Sequence, residues 1–137
     1  MNDGLIFIVD EDEDDREFVK HVWKELKYKN ELMFFSDGDS LLKHLKTNTT
    51  IPFLILCDVN IPKMDGFELK KRLYDDDSLF YKSIPFVFWS SQASKEQIKK
   101  SYDLGGNGFF IKESTLNGFK VALSEIMQYW LKSKVPE

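Results

Sequence analysis

Five residues of complementary chemistry sit at equivalent places in the chain. Asp10, Glu11, Asp58, Ser90 and Lys112 each stand just beyond a short apolar run, the runs being 5–9, 53–57, 86–89 and 109–111. In open α/β sheets, ligands collect in the crevice outside the carboxyl ends of the strands. If the central strands lie side by side, three carboxylates converge there, and like charges that close repel unless a cation binds or protons are retained. A hard, oxygen-seeking ion resolves this, and Mg²⁺ typically takes one or two carboxylates plus waters and phosphate oxygens. Lys112 adds a mobile positive point charge. Such a group suits transfer of a phosphoryl group to a carboxylate nucleophile. The cations neutralise charge on the transferring oxygens, and the Ser90 hydroxyl can bond the product.

The elements that must position these residues follow from periodicity. Run 5–9 is continuous, as a parallel strand buried on both faces requires. Phe18, Val22 and Leu26, flanked by Val19 and Trp23, form a helical stripe over 14–28. A second strand is expected at 32–35 and a short helix around Leu41, Leu42 and Leu45. Strand 53–57 enters through Pro52, and Phe67, Leu69 and Leu73 mark a helix over 65–74. Residues 75–83 are polar and aromatic without a period, and read as a loop. Strand 86–89 leads to a helix capped by Ser94 and stopped by Gly105-Gly106. After strand 109–111, Ser114 or Thr115 starts a final helix that turns Phe119, Leu123, Ile126 and Trp130 inward. Five strands alternating with five helices imply an α/β fold, a parallel sheet covered on both faces.

Composition narrows the class. The chain has 137 residues, 42% hydrophobic and 31% charged, which fits one soluble domain with its own core. A net charge of −4 argues against a nucleic-acid binder, and Lys95, Lys99 and Lys100 read as a solvated helix face. No apolar run approaches the ~20 residues of a membrane span. The start, Met1-Asn2-Asp3-Gly4, lacks the features of a signal peptide. The lone cysteine, Cys57, precludes an internal disulfide and is expected to pack inertly in the core of a cytoplasmic protein. The glycosylation match at Asn48-Thr49-Thr50 then carries no meaning. Asp10, Asp12 and Asp14 imitate the opening of a calcium-binding EF-hand loop. The sixth position is Asp15 rather than Gly and the twelfth is His21 rather than Glu, so that reading fails. Asp12 reads as an N-cap, and Asp14 and Asp15 as acids favoured by the helix dipole. His21 and His44 are expected at the surface.

The nine residues Asp58-Val59-Asn60-Ile61-Pro62-Lys63-Met64-Asp65-Gly66 closely resemble the phosphoacceptor loop of bacterial response-regulator receivers. Val9-Asp10-Glu11-Asp12 resembles that family's acidic pair, Ser90 its hydroxyl position, and Gly108-Phe109-Phe110-Ile111-Lys112 the end of its fifth strand. The resemblance spans about residues 5–131. It implies a flavodoxin-like (CheY-like) doubly wound sheet of order 2-1-3-4-5, a single domain over 1–137 with its core at about 4–132, and no output domain. It also implies roles. Asp58 is the phosphoacceptor of a two-component system and Glu11 a direct Mg²⁺ ligand. Asp10 acts on the metal through water, and Asn60 offers its backbone carbonyl. Ser90 and Lys112 contact the phosphoryl group. Phe109 follows the movement of Ser90 and couples the site to the face of helix 4, strand 5 and helix 5, where Lys95, Lys99 and Lys120 lie. The implied partners are a histidine kinase or histidine phosphotransfer protein and a downstream protein target. Autodephosphorylation, tuned by Asn60 and Gln92, resets the state, and the chain is otherwise not an enzyme.

One departure stands out. The family usually has proline after the strand-five lysine, often with a cis bond, and here Glu113 follows Lys112. A cis bond to a non-proline residue costs about 3–4 kcal/mol, so a strained peptide or a rearranged loop is expected. Two other functions compete: a degenerate receiver working as a phosphorylation-independent interaction module, and a flavin-binding protein of the same topology. Acids at 10–15 would repel a flavin phosphate, which disfavours the latter.

Overall fold

The computed structural model describes residues 3–47, 50–76 and 83–136. Asn48 and Thr49 of the glycosylation match, and most of the expected 75–83 loop, lie outside these residues. Five parallel strands form one sheet in the order β2-β1-β3-β4-β5: β1 (Ile6–Val9), β2 (Leu32–Phe35), β3 (Leu54–Asp58), β4 (Phe86–Ser90) and β5 (Phe109–Ile111). Five helices are present among the described residues: α1 (Glu13–Leu26), α2 (Gly38–Thr47), α3 (Gly66–Asp75), α4 (Lys95–Asp103) and α5 (Leu116–Lys132). Class and strand order agree with the reading from sequence.

The period-two alternation of each strand divides the core between the two faces of the sheet. Phe7, Val9, Ile55, Cys57, Phe86 and Phe88 point to one side, where Leu41 and Leu45 of α2 and Phe67, Leu69 and Leu73 of α3 cover them. Ile6, Ile8, Leu54, Leu56, Val87 and Trp89 point to the other, covered by Val19 and Val22 of α1 and Phe119, Leu123 and Ile126 of α5. β1, β3 and β4 are buried along their whole length because both faces are packed.

Local signals decide the element ends. Asp12 caps α1 by accepting from the Asp15 N–H, and Lys27 in the left-handed region (φ 59°) ends it two residues earlier than the apolar stripe suggests. Ser94 and Gln97 form a reciprocal capping box on α4, and Thr115 caps α5. His44 corrects its expected surface position: it is half-buried, its ring edge-on to Phe7 and Phe35 at 5.4 and 5.5 Å. His21 is exposed and Cys57 fully buried, both as expected.

β3 and β4 each run one residue further than expected, so Asp58 and Ser90 are the last strand residues rather than the first of their loops. Register then aligns the ends. Cys57 pairs with Val9 and Phe88, and Asp58 pairs with Trp89. Ser90 pairs with Ile111, immediately before Lys112.

After Asp58 the chain folds back so that the Gly66 N–H donates to the Val59 carbonyl at 2.8 Å, while Asp65 caps α3. A Cβ on Gly66 would stand 2.7 Å from the Asp58 carbonyl oxygen and 3.1 Å from Val59 Cα, both backbone atoms. Gly66→Ala therefore destabilises the protein by about 1–3 kcal/mol in urea unfolding. Gly108→Ala, whose nearest contacts would be 3.7 and 3.8 Å, stays within about 0.5 kcal/mol of the parent. Equal effects of the two would show that the close approach at Gly66 does not constrain the loop.

Candidate functional site

Hydrogen bonds to the backbone hold the acidic side chains in place. Asp10 Oδ1 accepts from the Asp12 N–H at 2.9 Å, and Arg16 donates to the Asp10 carbonyl at 2.6 Å. Asp58 Oδ1 accepts from the Asn60 N–H at 2.9 Å. Each carboxylate thus has one oxygen occupied by its own loop and the other, Oδ2, directed into the crevice.

Lys112 closes the crevice from β5. Its backbone N–H donates to the Ser90 carbonyl at 2.8 Å, which extends the β4–β5 ladder by one bond. Its ammonium donates to Asp10 Oδ2 at 2.8 Å, Asp15 Oδ2 at 2.8 Å and Asp58 Oδ2 at 2.6 Å. The same nitrogen lies 5.3 Å from the centre of the Trp89 ring. The Lys112 side chain is 6% exposed, so these are buried, charge-assisted bonds rather than surface pairs.

Burial alone would lower the Lys112 pKa. The charge and hydrogen bond of Asp10, with the bonds from Asp15 and Asp58, outweigh it and hold the ammonium protonated above its usual range. Burial pushes the Asp10 carboxyl up to about 6, against the lowering effects of Lys112 and the Asp12 N–H; the charge of Asp58 adds to the rise. The Cys57 thiol is pushed up by burial and by the neighbouring Asp58 and Asp10 charges, in keeping with an inert core residue.

Asp10, Asp15 and Asp58 each offer a carboxylate oxygen, all within 4.8 Å of one another. Against one ammonium, these three acids leave two negative charges in a partly buried crevice. A hard divalent cation with oxygen preference fits that donor set and its charge.

Of the residues singled out in the sequence, Asp10, Asp58 and Lys112 are brought into direct contact. Ser90 is buried at the end of β4, its Oγ 3.4 Å from the Gln92 N–H. Asn60 is tied to Asp58 through its own N–H and is exposed. Glu11 is exposed and outside the carboxylate cluster. Phe109 is half-buried and stacks on Phe88, with centroids 6.3 Å apart and an interplanar angle of 24°.

Of the two outcomes expected at Glu113, a strained peptide or a rearranged loop, the first does not occur: no described residue has a cis bond, and Lys112 reaches all three acids with Glu113 behind it. The Glu113 side chain instead rests where Gly118 has no Cβ; one built there would stand 2.3 Å from Glu113 Cβ. Asp15 joins the site although, as an acid in a first helical turn, its sequence position points only to the helix dipole. The available signal was its place as the third residue of a helix capped by Asp12.

The raised Asp10 pKa has a definite consequence for stability. Between its ordinary value of 3.8 and about 6 the folded protein keeps a proton that the unfolded chain has released. Ionised Asp10 therefore costs stability above about pH 6, and the cost disappears as pH falls toward the unfolded value. In the absence of divalent ions, Asp10→Asn raises stability at about pH 7.5 by on the order of 1–3 kcal/mol, and the gain shrinks by about pH 4.5. Thermal unfolding of the two proteins across that range is the check; an Asn variant that melts no higher at neutral pH contradicts it.

Comparison with known proteins agrees with this geometry. Residues 6–124 match the response regulator receiver domain family. Response regulator Rcp1 of Synechocystis sp. is 28% identical over 134 residues, covering 94% of this chain and 90% of that protein. The phosphorylated cyanobacterial phytochrome response regulator RcpA superposes with a TM-score of 0.87 at 28% identity, covering 98% of this chain and 99% of that one. The Mn²⁺-bound form of Rcp1 superposes with a TM-score of 0.85 at 27% identity, with the same coverage. With a family match over most of its length and an acidic crevice at the carboxyl ends of its strands, the chain belongs to the response regulator receiver domains.

Proposed function

We propose that this receiver is a phosphorylation-controlled signalling module that accepts a phosphoryl group on Asp58, with Mg²⁺ bound, from a histidine kinase or histidine phosphotransfer protein. The observation that carries this is the bond from Lys112 Nζ to Asp58 Oδ2 at 2.6 Å, joining residues 54 positions apart in a crevice that also holds Asp10. The phosphorylated state of RcpA and the Mn²⁺ bound to Rcp1 support the same chemistry in relatives of this fold.

In this reading the Asp58 carboxylate attacks phosphorus, and the bond from phosphorus to the donor's nitrogen breaks as the phosphoryl group moves. Asp10, Asp58, the exposed Glu11 and the Asn60 carbonyl would hold the ion, which when bound would supply positive charge against the transferring oxygens. Lys112 donates to a phosphoryl oxygen, and the Ser90 hydroxyl bonds the product. Phe109 follows Ser90, so a local charge event biases the surface of α4, β5 and α5. Exposed apolar side chains support a partner site there: Ile98 and Tyr102 on α4, Ile111 on β5, and Leu116 and Val121 on α5. Signalling proceeds through that face or by passing the group onward, and water attack on the acyl phosphate, tuned by Asn60 and Gln92, resets the state. The only chemistry performed is on the protein's own aspartate.

Two measurements test this. Incubation with Mg²⁺ and a small-molecule phosphodonor gives a phosphoryl mass increase that chelation prevents and Asp58→Asn abolishes; an unmodified parent moves the assignment to a phosphorylation-independent interaction module. Amide hydrogen exchange on phosphorylation changes in α4, β5 and the start of α5, and Ser90→Ala removes most of that change. A response confined to other elements rejects the proposed output face.

A further inference from the structure

Lys112 has three ammonium protons and three carboxylate partners, and the third partner, Asp15, comes from a helix rather than a strand end. The Asp15 backbone is held by the helix cap: its N–H donates to the Asp12 Oδ1 at 3.1 Å, which closes the first turn of α1. Its Oδ2 then lies 2.8 Å from Lys112 Nζ, a residue 97 positions away. At 23% exposure it is the most accessible of the three acids. Without it, one donor of a buried ammonium loses its partner, and the remaining two acids draw the nitrogen toward themselves.

An acid in the first turn of a helix also gains from the dipole. Asp14 meets that need equally, exposed in the same turn and without a bond to Lys112. The two acids therefore separate a dipole role from a role at the site.

We propose that Asp15 is a positioning residue for phosphoryl acceptance, anchoring the Lys112 ammonium between the carboxylates and adding a third negative charge toward the divalent cation. This rests on the receiver reading above, yet half of its test needs neither metal nor phosphoryl group. In metal-free protein labelled with ¹⁵N-lysine, the Lys112 ammonium protons exchange slowly with water. Asp15→Asn accelerates that exchange about fivefold or more, whereas Asp14→Asn leaves it within about twofold of the parent. In Mg²⁺-dependent phosphorylation by a small-molecule phosphodonor, Asp15→Asn raises the half-saturating Mg²⁺ concentration by about fivefold or more, and Asp14→Asn by less than about twofold. Asp15→Glu recovers most of the parent behaviour. Unchanged exchange in Asp15→Asn overturns the anchoring, and equal effects of the Asp14 and Asp15 variants reduce it to the helix dipole. A parent that takes no phosphoryl group rejects the receiver reading, while the exchange data still decide whether Asp15 holds Lys112.

Discussion

A single buried ammonium shared among three carboxylates organises the functional end of this protein. Lys112 reaches Asp10, Asp15 and Asp58 at 2.6–2.8 Å, and those acids come from β1, α1 and β3 while the lysine follows β5. No two of the four elements are adjacent in the sheet order except β1 and β3. The charges are too many for one cation and too buried for water to screen fully, so they respond strongly to any added cation or anion.

The sheet makes this arrangement possible by holding the strand ends in register. Strands β1, β3 and β4 are buried on both faces by aliphatic and aromatic side chains, and their register brings the ends together. Beyond those ends the side chains are held by short local bonds: Asp12 and Asn60 N–H groups on one oxygen of Asp10 and Asp58, and the Gly66 N–H on the Val59 carbonyl. Each acid is therefore oriented by its own loop before any ligand arrives. Fixing donors and charges in advance is the main source of catalysis in phosphoryl transfer.

The electrostatics at this end carry a cost that the rest of the fold bears. Asp10 is buried with its carboxyl pKa raised to about 6, and the packed core beneath compensates for the unfavourable burial of its charge. The ammonium that relieves this crowding also rests 5.3 Å from the Trp89 ring, against which Phe119 of α5 packs edge-on at 5.5 Å. On the opposite face Phe109 stacks on Phe88. A displacement of Lys112 thus has a packed neighbour, Trp89, through which to reach Phe119 of α5.

Strand and helix existence and three of the four residues that meet in the crevice were legible in the sequence, while the strand order followed only from the family resemblance. Apolar runs ending in Asp10, Asp58, Ser90 and Lys112 depend only on local alternation and on the placement of polar residues, and both survive folding unchanged. The exact strand ends were not legible, because pairing of Asp58 with Trp89 and of Ser90 with Ile111 extends β3 and β4 through contacts between distant segments. Nor was the half-burial of His44, which depends on Phe7 and Phe35 meeting it across the sheet. Asp15 looked like one more acid in a helix-starting run, and Glu113 looked like an obstacle to placing Lys112. Tertiary structure decided both. Capping by Asp12 turns Asp15 toward a lysine 97 residues away, and the missing Cβ of Gly118 leaves space for Glu113. The sequence by itself determines which groups are available at each strand end; which of them touch is set by the packing of α1 and β5 against a sheet neither can specify alone.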